Sequence, residues 1–142
     1  MFEGFTVRQI DTSGARIHLR HGGSGPPLLL LHGNPLTHVM WHKIAPRLAQ
    51  EFAVVATDPR GYGDSSKPPG GENSIGYSFR AMVEDQLEMM RSLGFARFHV
   101  CGHDRGVRVA HRMAFDHPDA VSKVAFLDIV PTHHMLNNIK RQ

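Results

Sequence analysis

The pentapeptide Gly102-His103-Asp104-Arg105-Gly106 constrains this chain more than any other stretch. It follows a short apolar run, Phe98-His99-Val100-Cys101, and opens a segment of helical character from Val107 to His117. A Gly-x-nucleophile-x-Gly turn between a strand and a helix is sharp and strained, so its central side chain projects into a site. The flanking glycines are needed because β-carbons there would crowd neighbouring backbone. The central residue here is Asp rather than the commoner Ser.

The remaining pattern says what such a turn is built into. Phe5 to Ile10 and Ala15 to Arg20 read as strands around the turn Asp11-Thr12-Ser13-Gly14, with Ile17 and Leu19 alternating as in a half-buried strand near a sheet edge. Leu28 to Leu31 is a continuous apolar strand, as expected when both faces are covered. His38 to Gln50 predicts a helix that buries Trp41, Ile44, Ala45 and Leu48, with a kink or split at Pro46. Phe52 to Thr57 is the next strand, and Asp58 and Arg60 read as a structural turn after it. Lys67 to Gly76 is a polar, Gly- and Pro-rich surface loop. Ser78 caps a helix whose Phe79, Met82, Val83, Leu87, Met90 and Leu93 share a face, and Gly94 ends it. Arg97 to Cys101 precedes the sharp turn, and Val124 to Val130 is a last apolar strand carrying Asp128. This alternation predicts an α/β fold with a mostly parallel sheet and helices on both faces. Residues 1–142 are the size of one core domain.

Sites in such sheets lie beyond the carboxyl ends of the strands. His32 to Pro35, Gly102 to Arg108 and Asp128 all fall there, so they should converge. Asp104 is read as a nucleophile, because a carboxylate needs no base to activate it and can displace a leaving group from saturated carbon. The competing reading is a helix N-cap. Around such a turn an oxyanion hole uses the backbone N–H after the nucleophile, here Arg105, and one from the loop after the third strand, here Asn34. The Asn34 amide could also face a departing halide, or Asn34 could simply form the turn before Pro35. His32 reads as a hydrogen-bonded scaffold residue. Arg105 and Arg108 share a face in the first turn of a helix, where cations oppose the dipole. They suit a substrate carboxylate, or are two solvated arginines. Arg112 reads as structural. Asp128 can orient a catalytic histidine or form a turn. His133 and His134 remain unassigned. No His or Cys spacing resembles a zinc site, and no glycine pattern fits a nucleotide loop.

Five stretches, GPPLLLLHGNPLTHVMWHKIAPRLA, DPRGYGDSSKP, YSFRAM, GHDRGVRVAHRMAFDHP and LDIVPT, resemble the α/β-hydrolase superfamily and, within it, the haloacetate (fluoroacetate) dehalogenases. The Arg after Asp104 carries most of that likeness, since epoxide hydrolases and haloalkane dehalogenases usually have Trp there. The resemblance implies that Asp104 is the nucleophile, that Arg105 and Arg108 hold a substrate carboxylate, and that Asp128 is the acid of an Asp-His-Asp triad. Asn34 departs from it, standing where the haloacetate enzymes commonly have Phe. There it looks like the haloalkane dehalogenases, in which Asn helps bind halide. The family also continues through a helical lid and further strands to a late histidine. The chain is therefore expected to be the N-terminal part of a core domain, truncated before the lid and C-terminal strands. Lacking the catalytic His, it should be unable to turn over, and it should expose apolar sheet edges.

The implied function is hydrolytic dehalogenation of small 2-haloacids, without cofactor or metal. An epoxide hydrolase or haloalkane dehalogenase of the same fold is the rival enzyme. A non-catalytic fragment that binds carboxylates or a partner chain is the rival of another kind. A net charge of +3, scattered without blocks, argues against nucleic acid as partner. The single cysteine, Cys101, sits in an apolar run and permits no internal disulfide. The start MFEGFTVRQI lacks signal-peptide features, and the longest apolar run, Leu28 to Leu31, is too short to span a membrane. A cytoplasmic protein is expected, with a homodimer of a longer form left open.

Overall fold

The computed structural model describes residues 1–129. Val130, the expected end of the last strand, and the unassigned His133 and His134 lie outside the described residues. Six strands form one sheet in the order β1-β2-β4-β3-β5-β6. They are β1 (Thr6–Asp11), β2 (Arg16–Gly22), β3 (Pro27–Leu31), β4 (Ala53–Asp58), β5 (Phe98–His103) and β6 (Val121–Leu127). β1 and β2 pair antiparallel, as do β2 and β4. β4, β3, β5 and β6 pair parallel, as the alternation predicts.

The continuous apolar strands are explained by two cores. Leu29, Leu31, Val55 and Val100 face one side, against Met82, Leu87 and Met90 of α2 (Phe79–Ser92) and Val109 and Met113 of α3 (Arg105–Asp116). Leu28, Leu30, Val54 and Ala56 face the other, against Trp41 and Ala45. Full burial of each leucine contributes about 1.5–3 kcal/mol relative to exposure. Helices thus cover both faces.

Three expectations need correction. The helix expected over His38 to Gln50 is split into a 3-10 turn, His38–Trp41, and a short α1, Ala45–Leu48. Pro46 sits in the first turn of α1, where its missing N–H is no loss. The break changes the helical phase, so Ile44, expected in the core, is 42% exposed. α3 begins at Arg105 rather than Val107, because β5 runs on through Gly102 to His103 and the turn is correspondingly tight. β6 begins at Val121 rather than Val124, since backbone pairing with β5 carries the polar Ser122 and Lys123 into the ladder past a register shift at Phe98/His99. It ends at Leu127. As an edge strand among the described residues, it exposes Val124, Phe126 and Leu127. No helix among the described residues is long and apolar enough to cross a membrane.

Candidate active site

The carboxyl ends of β3, β5 and β6 meet as the topology requires. Leu31 pairs with Gly102 and Gly102 with Phe126, which brings the loop after β3, the turn after β5 and Asp128 side by side. The turn is as tight as its glycines suggest. A β-carbon on Gly102 would lie 2.6 Å from the carbonyl carbon of Gly106, and one on Gly106 would lie 2.3 Å from the Leu31 carbonyl oxygen. Asp104 itself has φ +46° and ψ −115°, a left-handed backbone that a non-glycine residue rarely adopts.

That backbone decides where the Asp104 side chain goes. It makes no capping hydrogen bond to its own helix. Instead Oδ2 accepts the backbone N–H of Asn34 at 2.9 Å. Gly33 makes this approach feasible, since a β-carbon there would be 2.6 Å from Asp104 Cβ. The Asn34 N–H is the main reason the Asp104 carboxyl is held below the usual range. Partial burial opposes the shift, while the Arg105 N–H and the charges of His103 and Arg108 reinforce it. No well-aligned hydrogen bond reaches Oδ1 from the described residues.

Asn34 is also held by its side chain. The Tyr62 hydroxyl donates to its Oδ1 at 3.3 Å, which turns the amide nitrogen away from Tyr62. The Arg105 guanidinium lies 5.2 Å from the centroid of the Phe79 ring, in a cation–π contact. Neither Arg105 nor Arg108 forms a salt bridge among the described residues, whereas Arg112 pairs with Asp116 at 2.6 Å. Asp128 (φ +64°) stands just past β6 with an exposed carboxylate. The imidazole within its reach among the described residues is that of His103, at 3.5 Å.

The comparisons with known proteins fit this geometry. A sequence profile of the α/β hydrolase fold matches residues 26–142. The chain belongs to the α/β-hydrolase fold family. It is 56% identical over 141 residues to a fluoroacetate dehalogenase from a Burkholderia species, covering 99% of this chain and 46% of that protein. It is 40% identical to a soluble epoxide hydrolase from Corynebacterium sp. strain C12, covering 89% of this chain and 42% of that protein. A crystal structure of a Nostoc sp. PCC 7120 protein assigned to the α/β hydrolases superposes with a TM-score of 0.96 at 58% identity, covering 99% of this chain and 48% of that one. The chain thus spans about half the length of these relatives.

Around the elbow of this hydrolase fold, two further groups are scaffold. His32 is buried, its Nδ1 2.8 Å from the Gly33 carbonyl oxygen and its Nε2 3.4 Å from Asp58 Oδ1. The second contact is not an aligned hydrogen bond. Cys101 is half-buried and burial pushes its thiol up, so it is a poor nucleophile. Sequence patterns gave no sign of Tyr62 or Phe79 at this site, because both arrive from segments distant in the chain.

Proposed function

We propose that this chain supplies the nucleophile, oxyanion hole and carboxylate clamp of a hydrolytic dehalogenase acting on small 2-haloacids. The observation that carries the reading is the asymmetry of Asp104: Oδ2 is tied to a backbone N–H and Oδ1 is not. Oδ1 attacks the carbon bearing the halogen. The carbon–oxygen bond forms as the carbon–halogen bond breaks, and halide departs with the bonding pair. The product is an ester of Asp104. Oδ2, now the ester carbonyl oxygen, already sits where the hole must hold negative charge. When water attacks Cγ, the charge collects on that atom beside the Asn34 and Arg105 N–H groups. A donor of this kind is worth about 2.7–4 kcal/mol in such a transition state. The outward-facing Asn34 amide can donate to the departing halide. Arg105 and Arg108, without acidic partners among the described residues, grip the substrate carboxylate.

Hydrolysis of the ester needs a base oriented by Asp128. By the family resemblance this base is a histidine. The test is mass spectrometry after exposure to chloroacetate. A carboxymethyl ester on the peptide containing Asp104 is expected, and none in Asp104→Asn. Unlabelled Asp104 in the parent would sink the proposal. The similarity to the Corynebacterium epoxide hydrolase favours a second reading. An epoxide carries no carboxylate for the arginines, so labelling by a simple epoxide that exceeds labelling by chloroacetate would select that reading instead.

A further inference from the structure

Phe79 is the first residue of α2 and Arg105 the first residue of α3. Both helices pack on the same face of the sheet, and the Arg105 guanidinium carbon lies over the Phe79 ring, 5.2 Å from its centroid. The backbone that carries the ring is tied down on both sides. Ser78 caps α2, its hydroxyl oxygen accepting the Ala81 N–H at 3.2 Å. Before it, the Tyr77 hydroxyl donates to the Pro68 carbonyl at 2.6 Å. Phe79 itself is partly buried against the core that α2 shares with the sheet.

This contact answers a need that the helix creates. A cation in the first turn opposes the helix dipole. The small cavity that Arg105 lines with Tyr62, Met82 and Val109 has no acidic side chain in its wall. Arg105 Nε is buried and has no hydrogen-bond partner among the described residues. The ring supplies what is missing, because the electron-rich face of an aromatic attracts a guanidinium. An Asp or Glu in its place would neutralise the guanidinium and compete with a substrate carboxylate; the uncharged ring does neither. Arg108 has no such ring among the described residues.

We propose that Phe79 is a positioning residue that sets the preference of this site for anionic over neutral substrates, a step that rests on the reading of Arg105 as one arm of the carboxylate clamp. The ring holds the guanidinium in place before substrate arrives, so less side-chain freedom is lost when a carboxylate binds. A neutral molecule of the same shape draws nothing from the charge of Arg105 and gains nothing from the ring. Phe79 acts through Arg105 alone, so the displacement at carbon by Asp104 does not depend on it. Its effect falls on affinity for the carboxylate and on discrimination by charge.

The test uses the full chain and two reagents of similar shape, chloroacetate and the neutral chloroacetamide. The initial rate of labelling at Asp104, distinguished from Cys101 by fragmentation of the labelled peptide, is followed against reagent concentration. Phe79→Leu keeps an apolar side chain and removes the aromatic face. Half-saturation by chloroacetate should rise about 3- to 10-fold, while its maximal rate and the chloroacetamide rate stay at the parent values. Phe79→Tyr, which keeps the face, should behave like the parent. Pentafluorophenylalanine in place of Phe79 reverses the charge distribution of the ring with little change of shape. It should match Phe79→Leu, and it decides the matter even if the leucine variant fails to fold. Unchanged half-saturation, or an equal loss for the two reagents, overturns the proposal. No label on Asp104 in the parent would instead remove the nucleophile reading, and the proposal with it.

Discussion

Asp58 and Asp104 flank the same strand, and both carboxyls are held below their ordinary range, but their surroundings are opposite. Around Asp58 the largest influence is burial, which would raise it. The imidazoles of His32 and His38 and the N–H groups of His38 and Asp64 together overturn that, and the group stays ionised in the interior. Asp104 is half-exposed and depends chiefly on one backbone N–H. One carboxylate is surrounded by donors and holds four segments together. The other is pinned at one oxygen and open at the second. On the proposed reading, charge alone does not separate a hub from a reagent; the uncommitted oxygen does.

The largest expected effect tests this contrast directly. Asp58→Ala leaves the His38 and Asp64 N–H groups without their acceptor in or near the core, and should cost about 3–5 kcal/mol in urea unfolding. Asp104→Asn keeps an oxygen for the Asn34 N–H and should change stability by less than about 1 kcal/mol. Equal losses in the two variants would break the distinction between hub and reagent.

The two regions were not equally legible in the sequence. The elbow was readable because its determinants are local: two glycines and an acid, with an apolar run before and a helical run after. The parallel sheet was readable because Leu28 to Leu31 and Phe52 to Ala56 are apolar at every position, which a strand covered on both faces requires. Asp58 and Arg60 were read as a turn, but their partners lie far along the chain. Arg60 makes a bidentate pair with Asp85 of α2, Nε to Oδ2 and Nη2 to Oδ1. His18 and His38 meet Asp58 only once β2 lies antiparallel to β4, a register that no spacing announces. Ile44 was misplaced for a related reason: periodicity assumes an unbroken helix, and the break before Pro46 is a three-dimensional event.

A smaller effect sharpens the elbow side. Arg80 and Arg112 both approach Asp116, at 3.7 and 2.6 Å, while Arg105 and Arg108 have no acidic partner among the described residues. Under the proposed reading, Arg108→Ala should weaken binding of the substrate carboxylate by about 1.5–3 kcal/mol, a rise in KM of roughly 10- to 150-fold. Arg112→Ala should leave KM near its parent value. An unchanged KM in the Arg108 variant would remove the clamp from the mechanism and make the dehalogenase reading no better than the epoxide one.

The smallest effect concerns pH. A carboxyl depressed in the folded state contributes stability above its unfolded value, and that contribution is lost as pH falls through the folded value. For half-exposed Asp104 the stability change is too screened to measure usefully, but its ionisation can be followed through its reactivity. Ester formation from chloroacetate should stay level as pH falls past the ordinary aspartate value near 3.9, and decline only below it. Gly33→Ala supplies the comparison. Its new β-carbon presses on Asp104 Cβ, so the carboxylate must shift from the Asn34 N–H that does most to depress it. Its acid limb should therefore move up toward the ordinary value, by about one pH unit or less. The measurement is the initial rate of label uptake, counted by mass spectrometry across an acid series. Coincident acid limbs in the two proteins would mean that the Asn34 contact does not set the charge of Asp104, and the asymmetry between its two oxygens would lose its chemical meaning.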